Sequence, residues 1–188
     1  MRYLPLLILF ILNCNTMPPS TTSPTGPVAV YDFRKGTPAD TWAVQDDTVM
    51  GGRSQGEREM TDEGHLRFYG HVSLENNGGF SSVLHTLKPP VDVAGHDKFV
   101  LRVKGDGKPY NLRVKTDPDN EYYYESSFPT SGEWEMVEVP FAEMSAVHHG
   151  EPVDVPNFDG GTLTKVQVLI GNKKEQDFEL LIDRIEAQ

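Results

Sequence analysis

Apolar and polar residues alternate with a period of two along most of the chain, which places successive side chains on opposite faces of a strand. Val28-Ala29-Val30-Tyr31-Asp32-Phe33 opens the pattern. It returns in Leu66 to Leu74, in Phe80 to Leu87, and in Lys98 to Lys104, where Phe99, Leu101 and Val103 share one face. Tyr110 to Lys115, Glu121 to Phe128, Gly132 to Pro140, Leu163 to Gly171 and Phe178 to Ile185 bring the count to nine short segments. No stretch holds a 3.6-residue period over ten or more residues, and only Phe141 to Met144 suggests a helical turn. Many short strands separated by turns predict an all-β sandwich or barrel. Between them, Arg34 to Asp40, Glu57 to Gly64 and Val147 to Gly161 are polar or Gly/Pro-rich and predict turns and loops. Pro89-Pro90 is expected to end the third strand, because proline cannot donate to a ladder.

Two Gly-rich clusters interrupt this pattern. The first is Asp46-Asp47-Thr48-Val49-Met50-Gly51-Gly52-Arg53-Ser54; the second is Asn76-Asn77-Gly78-Gly79-Phe80-Ser81-Ser82. Each sets a Gly-Gly pair beside short polar side chains that bond locally to backbone, a composition suited to positive φ or close backbone approach. The strand from Leu66 to Leu74 lies between them, so the two turns are expected to sit on one hairpin-like unit. If they meet in space, they form a polar rim.

These clusters also carry a resemblance. Trp42, then Asp47-Thr48-Val49-Met50-Gly51-Gly52-Arg53-Ser54, Phe68-Tyr69-Gly70, and Leu74-Glu75-Asn76-Asn77-Gly78-Gly79-Phe80-Ser81-Ser82 occur in order. Arg102-Val103-Lys104-Gly105-Asp106-Gly107, Tyr110, Trp134, Pro140-Phe141 and Phe178 to Ile185 follow. From about Tyr31 to Ile185 the series resembles the complex I intermediate-associated protein family, known in mitochondria for an assembly factor of respiratory NADH dehydrogenase. The resemblance implies a galactose-binding-like jelly-roll β-sandwich and a protein-binding, assembly-factor-like role. It implies no catalytic or metal-binding residues.

Composition narrows the partners. The chain has 188 residues, with 17 basic against 28 acidic side chains. That length supports one core without disulfide staples. Its negative field repels nucleic acid and anionic lipid, so neither is an expected partner.

The first residues differ from the rest. Arg2 precedes an apolar run from Leu4 to Leu12 that is too short to span a bilayer as a helix. Cys14, the single cysteine, follows, and then a Pro/Ser/Thr-rich stretch. The arrangement resembles a bacterial lipoprotein signal, although Asn13 departs from the small residue expected before the cysteine. We therefore expect a signal peptide over residues 1–13, a tether over 14–27, and a β-sandwich domain over 28–188. Cys14 would be the lipidated residue of an exported, envelope-anchored protein.

Candidate chemistry is sparse. Asp46-Asp47 is a carboxylate pair, but adjacent residues on extended backbone point apart and do not share a proton. One of them is better placed to accept backbone N–H groups of the Met50-Gly51-Gly52 turn. Asp46, Asp47, Glu75, Asn76, Asn77 and Asp106 are hard oxygen donors, so a structural calcium ion is considered. Adjacent His148-His149 lacks a zinc-site spacing, and Ser54, Ser81 and Ser82 lack a nucleophile-elbow context. In the aromatic strand Tyr122 and Tyr124 share a face and Tyr123 takes the other, so one face could serve as a glycan platform. The chain is thus expected to bind rather than catalyse, engaging a protein partner or, alternatively, a carbohydrate. The candidate binding residues are Trp42, Asp47, Met50, Ser54, Asn76, Asn77, Phe80, Ser82, Asp106 and Tyr110.

Overall fold

The computed structural model describes residues 26–36 and 38–188. The expected signal peptide, Cys14 and most of the tether lie outside them. Among the described residues thirteen strands occur in this order. They are β1 (Val28–Asp32), β2 (Ala43–Asp46), β3 (Gln55–Met60), β4 (Leu66–Val72), β5 (Ser81–Asp92), β6 (Lys98–Lys104) and β7 (Tyr110–Lys115). Then come β8 (Tyr123–Phe128), β9 (Trp134–Pro140), β10 (Ser145–His148), β11 (Glu151–Pro152), β12 (Thr162–Ile170) and β13 (Gln176–Ala187). The helical segments among the described residues are short 3-10 turns, including one at Phe141–Glu143 where sequence suggested a helical turn.

The strands form two antiparallel sheets, as expected of a jelly-roll sandwich. One runs β3-β4-β13-β6-β9, with β1 also paired to β13; the other runs β11-β10-β8-β7-β12-β5-β2. Alternation builds the core between them. Phe99, Leu101 and Val103 of β6 and Leu180, Ile182 and Ile185 of β13 face Leu112 and Val114 of β7 and Val166, Val168 and Ile170 of β12 in one buried cluster. Non-local pairing dominates: β12, late in the chain, lies between β5 and β7.

Three expectations are corrected. Gln55–Met60, which overlaps the Glu57 to Gly64 stretch expected as turns, is an edge strand. No residue in it is buried, so it lacks the apolar alternation that marks a strand in sequence. Second, β5 runs through Pro89-Pro90 to Asp92. The registered β5–β12 partners break between Thr86 and Val91, and β2 covers only Ser81 to Leu84, so the prolines sit where no ladder donor is needed. Third, the expected loop from Val147 to Gly161 begins inside β10 and pairs with it through β11, Val147 with Pro152 and His148 with Glu151.

Candidate functional site

The two Gly turns meet on one carboxylate. Asp47, 2% exposed, accepts from the Ser54 amide at 2.9 Å on Oδ1. Its Oδ2 accepts from the Ser54 hydroxyl at 2.5 Å and from the amides of Gly79 and Phe80 at 2.6 and 3.2 Å. The Ser54 hydroxyl in turn accepts from the Ser73 amide at 3.0 Å. The glycines make room for this: a Cβ on Gly52 would overlap the Asp47 carboxylate, and one on Gly78 would lie 2.6 Å from Asp47 Oδ2. Asn76 adds a bond from its amide to the Gly51 carbonyl at 3.1 Å. Burial alone would push the Asp47 carboxyl up, but the bonds from Ser54, Gly79 and Phe80 outweigh it and hold the group below the usual aspartate range.

Asp46 has separate partners, the Gly56 amide at 3.1 Å and the Ser81 hydroxyl at 2.6 Å. Burial raises it, those bonds offset this only in part, and the neighbouring Asp47 charge adds to the rise. The two carboxylates therefore do not act as an acid–base pair. Each fixes its own stretch of backbone.

The joined turns wall one side of a cleft of about 530 Å³ across the outer face of the seven-stranded sheet. Met50, Leu74 and Phe80 stand on this wall; His148 and His149, from the β10–β11 hairpin, stand on another. Register sets the floor. Gln167 of β12 lies beside Arg113 of β7, which lies beside Glu125 of β8, and Leu169 lies beside Asn111. Arg113 and Glu125 form an ion pair. The Tyr123 ring also lines the cleft, with Lys115 Nζ 4.9 Å and Lys165 Nζ 6.0 Å from its centroid. Burial, and then the Lys165 charge opposite, lower the Lys115 ammonium.

The candidate residues do not all share one place. Met50 and Phe80 line the cleft. Asp47, Ser54, Asn76 and Ser82 build the wall and floor behind it: Ser82 donates to the Gln45 carbonyl at 2.8 Å and accepts from the Gln167 amide at 2.8 Å. Asn77 is exposed in the second turn with left-handed backbone, φ 60°.

Trp42 and Tyr110 belong to the core instead. Trp42 is fully buried against Tyr31, Phe33 and His85. Tyr110 is buried with its hydroxyl 3.1 Å from Asp106. Asp106 itself also holds Lys108 and the Glu179 amide, in the six-stranded sheet. The residues missed from sequence are Gln167, Asn111, Arg113, Glu125 and the adjacent histidines. Gln167 had a visible signal, a lone polar residue within Val166-Gln167-Val168-Leu169-Ile170.

Three of the oxygen donors considered for calcium have other partners. Asp46 and Asp47 are filled by N–H and O–H donors, and Glu75 faces Arg53 at 3.3 Å. Among the described residues no three His, Cys, Asp or Glu gather in a way that could hold a metal ion.

Two packed antiparallel sheets define a β-sandwich, a fold also seen in carbohydrate-binding modules. The chain is similar to the family 11 carbohydrate-binding module of the cellulase Lic26A-Cel5E of Clostridium thermocellum, with a TM-score of 0.63 and 14% identity over 88% of this chain and 95% of that one. A structure of the Clostridium thermocellum family 11 module in complex with a β-1,3-1,4-mixed-linked tetrasaccharide gives 0.61 at 14% identity, covering 88% and 96%. At this identity the likeness establishes the fold.

The chain belongs to the complex I intermediate-associated protein 30 family, whose profile matches residues 31–182. It is 26% identical over 147 residues to mouse (Mus musculus) complex I intermediate-associated protein 30, mitochondrial, a match covering 67% of this chain and 45% of the mouse protein. It is also 25% identical to the uncharacterized protein C9E9.15 of Schizosaccharomyces pombe, covering 76% and 75%. The chain thus matches less than half the length of the mouse relative.

Proposed function

We propose that this chain is a non-catalytic binding module of the cell envelope that holds a glycan in the sheet-face cleft. The observation that carries this reading is the floor of the cleft. Its volume of about 530 Å³ fits a small oligomer, within the roughly 300–1,000 Å³ of ligand pockets. Amides, an arginine–carboxylate pair and an aromatic ring converge there, and a hydroxyl-rich chain can both donate to and accept from such groups. The two carboxylates that line the cleft each have a basic neighbour: Glu125 pairs with Arg113, and Glu121 lies 3.6 Å from His148. A glycan array probed with the full-length protein tests the reading. Binding to a defined oligosaccharide is expected, and an array with no signal above background would contradict it.

The second reading is a protein partner, as the family's assembly role suggests. Its support is the apolar mouth: Met50 is 66% exposed and Leu74 42% exposed, both on turns that carry the family series. A photo-crosslinking residue at position 50 should then give one reproducible protein adduct in membranes. The same residue at Met136, exposed on the opposite sheet, should not give it. Envelope anchoring rests on the Arg2-to-Cys14 pattern. Labelled palmitate incorporated by the wild type and lost in Cys14→Ser is its expected signature.

A further inference from the structure

One polar atom on the cleft floor has no partner. Ser82 Oγ lies 2.8 Å from the Gln45 carbonyl, a contact in which only the hydroxyl can donate. Its proton is thereby committed, so towards Gln167 it can only accept. The amide NH2 of Gln167 therefore faces Ser82, at 2.8 Å. That fixes the orientation of the amide and leaves Oε1 buried without a hydrogen bond. Gln167 is itself only 3% exposed, yet it lines the cleft. Turning the amide over would set Oε1 against an oxygen with no proton to give. An unpaired buried acceptor is costly in the free protein and is rarely left without a purpose.

We infer that Gln167 is a specificity-determining residue of the cleft, its Oε1 accepting a hydrogen bond from a hydroxyl of an uncharged glycan. This rests on the glycan reading of the cleft. The atom has no exposed surface in the unliganded protein, so the hydroxyl reaches it when a floor side chain such as Arg113, next to Gln167 in register, rotates aside. Such rotamer changes are common on binding. The chemistry selects strongly. A hydroxyl donates to Oε1 and can still accept from Arg113 or Asn111, whereas a carboxylate or sulfate at this point offers only acceptors to an acceptor. Sites built to bond a hydroxyl reject ligands lacking it far more sharply than apolar pockets discriminate size.

The test is affinity electrophoresis of the full-length protein through gels containing neutral polysaccharides (mixed-linked β-1,3-1,4-glucan, xyloglucan, agarose-type galactan) or anionic ones (alginate, polygalacturonate). Calorimetry on an oligosaccharide of the retarding polymer follows. At least one neutral polymer should retard the wild type and the anionic ones should not. Gln167→Met should weaken binding at least tenfold, about 1.4 kcal/mol, while its melting temperature stays level, because removing the unpaired acceptor offsets loss of the amide bond to Ser82. A purely structural glutamine would lower the melting temperature instead. Should Gln167→Met fail to fold, Ser82→Ala, which frees the amide to turn, should weaken binding several-fold. Undiminished binding by Gln167→Met, with binding lost in Tyr123→Ala, would leave the cleft a glycan site and overturn the role of Gln167. Retention of the wild type by anionic polymers alone would also overturn it. No retardation by any polymer would remove the glycan reading and the inference together.

Discussion

Asp47 shows how much of the site depends on one side chain. Removing it strands three donors at once, the amides of Ser54, Gly79 and Phe80, and leaves the Ser54 hydroxyl only the Ser73 carbonyl at 3.3 Å. Asp47→Ala should therefore cost about 3 kcal/mol or more, a fall in Tm of roughly 10 °C in a thermal melt. Gly78→Ala, whose Cβ would crowd Asp47 Oδ2 and the Ser73 carbonyl, should destabilise by about 1–3 kcal/mol, read in the same melt. The pH dependence follows from the lowered carboxyl. Its stabilisation is complete above the ordinary aspartate range and is lost as pH falls through the folded value. Asp46, raised by burial, works in the opposite sense, so the wild type alone cannot isolate Asp47. The difference in Tm between wild type and Asp47→Asn should shrink as pH falls below about 4; a constant difference would show that ionisation plays no part. The Gly-Gly pairs and their polar neighbours made these turns readable in sequence. Their meeting on Asp47 was not, because the bonds span up to 33 residues.

At the level of elements, alternation made visible those strands with one face in the core. Phe99, Leu101 and Val103 of β6 are all buried as the pattern requires. It could not show β3, an edge strand with no buried residue, nor that β5 passes its prolines where the ladder is interrupted. The cleft floor was illegible for a related reason. Asn111, Arg113 and Glu125 are polar residues on the outward face of good strands, the same pattern as a plain solvated face. Only register, which puts Gln167, Arg113 and Glu125 in one row, makes them a site. The wall is apolar at two exposed positions, and Met50→Glu with Leu74→Glu should leave Tm within about 1 °C, since surface changes are usually within about 0.5 kcal/mol. With the crosslinking residue moved to the exposed Asn77 position, loss of the protein adduct in that double variant would favour the protein-partner reading. Retention of glycan binding in it would agree with a ligand held by the floor.

For the molecule as a whole, the family and the fold bear on function in different ways. The family name concerns association with complex I intermediates, and the related structures carry only a shared sandwich at 14% identity. Charge separates the two occupants. The chain has a formal net charge of −11, so a basic protein partner would be drawn to it and released by salt. A neutral glycan would not. Calorimetry at low and at about 0.5 M ionic strength should give Kd values within twofold for the glycan. A steep loss would identify a charged partner, since the Debye length shortens to a few ångströms at high salt.

The central claim, that the outer face of the seven-stranded sheet is the binding face, is tested most directly by a backbone NMR titration of the full-length protein with a mixed-linked gluco-oligosaccharide series. The amides of Gln167, Asn111, Tyr123, Gly79 and Phe80 should shift in a saturable way, while those of Arg102, Met136 and Arg184 on the opposite sheet stay fixed. Saturable shifts confined to the opposite sheet, or no shifts at millimolar ligand, would contradict it.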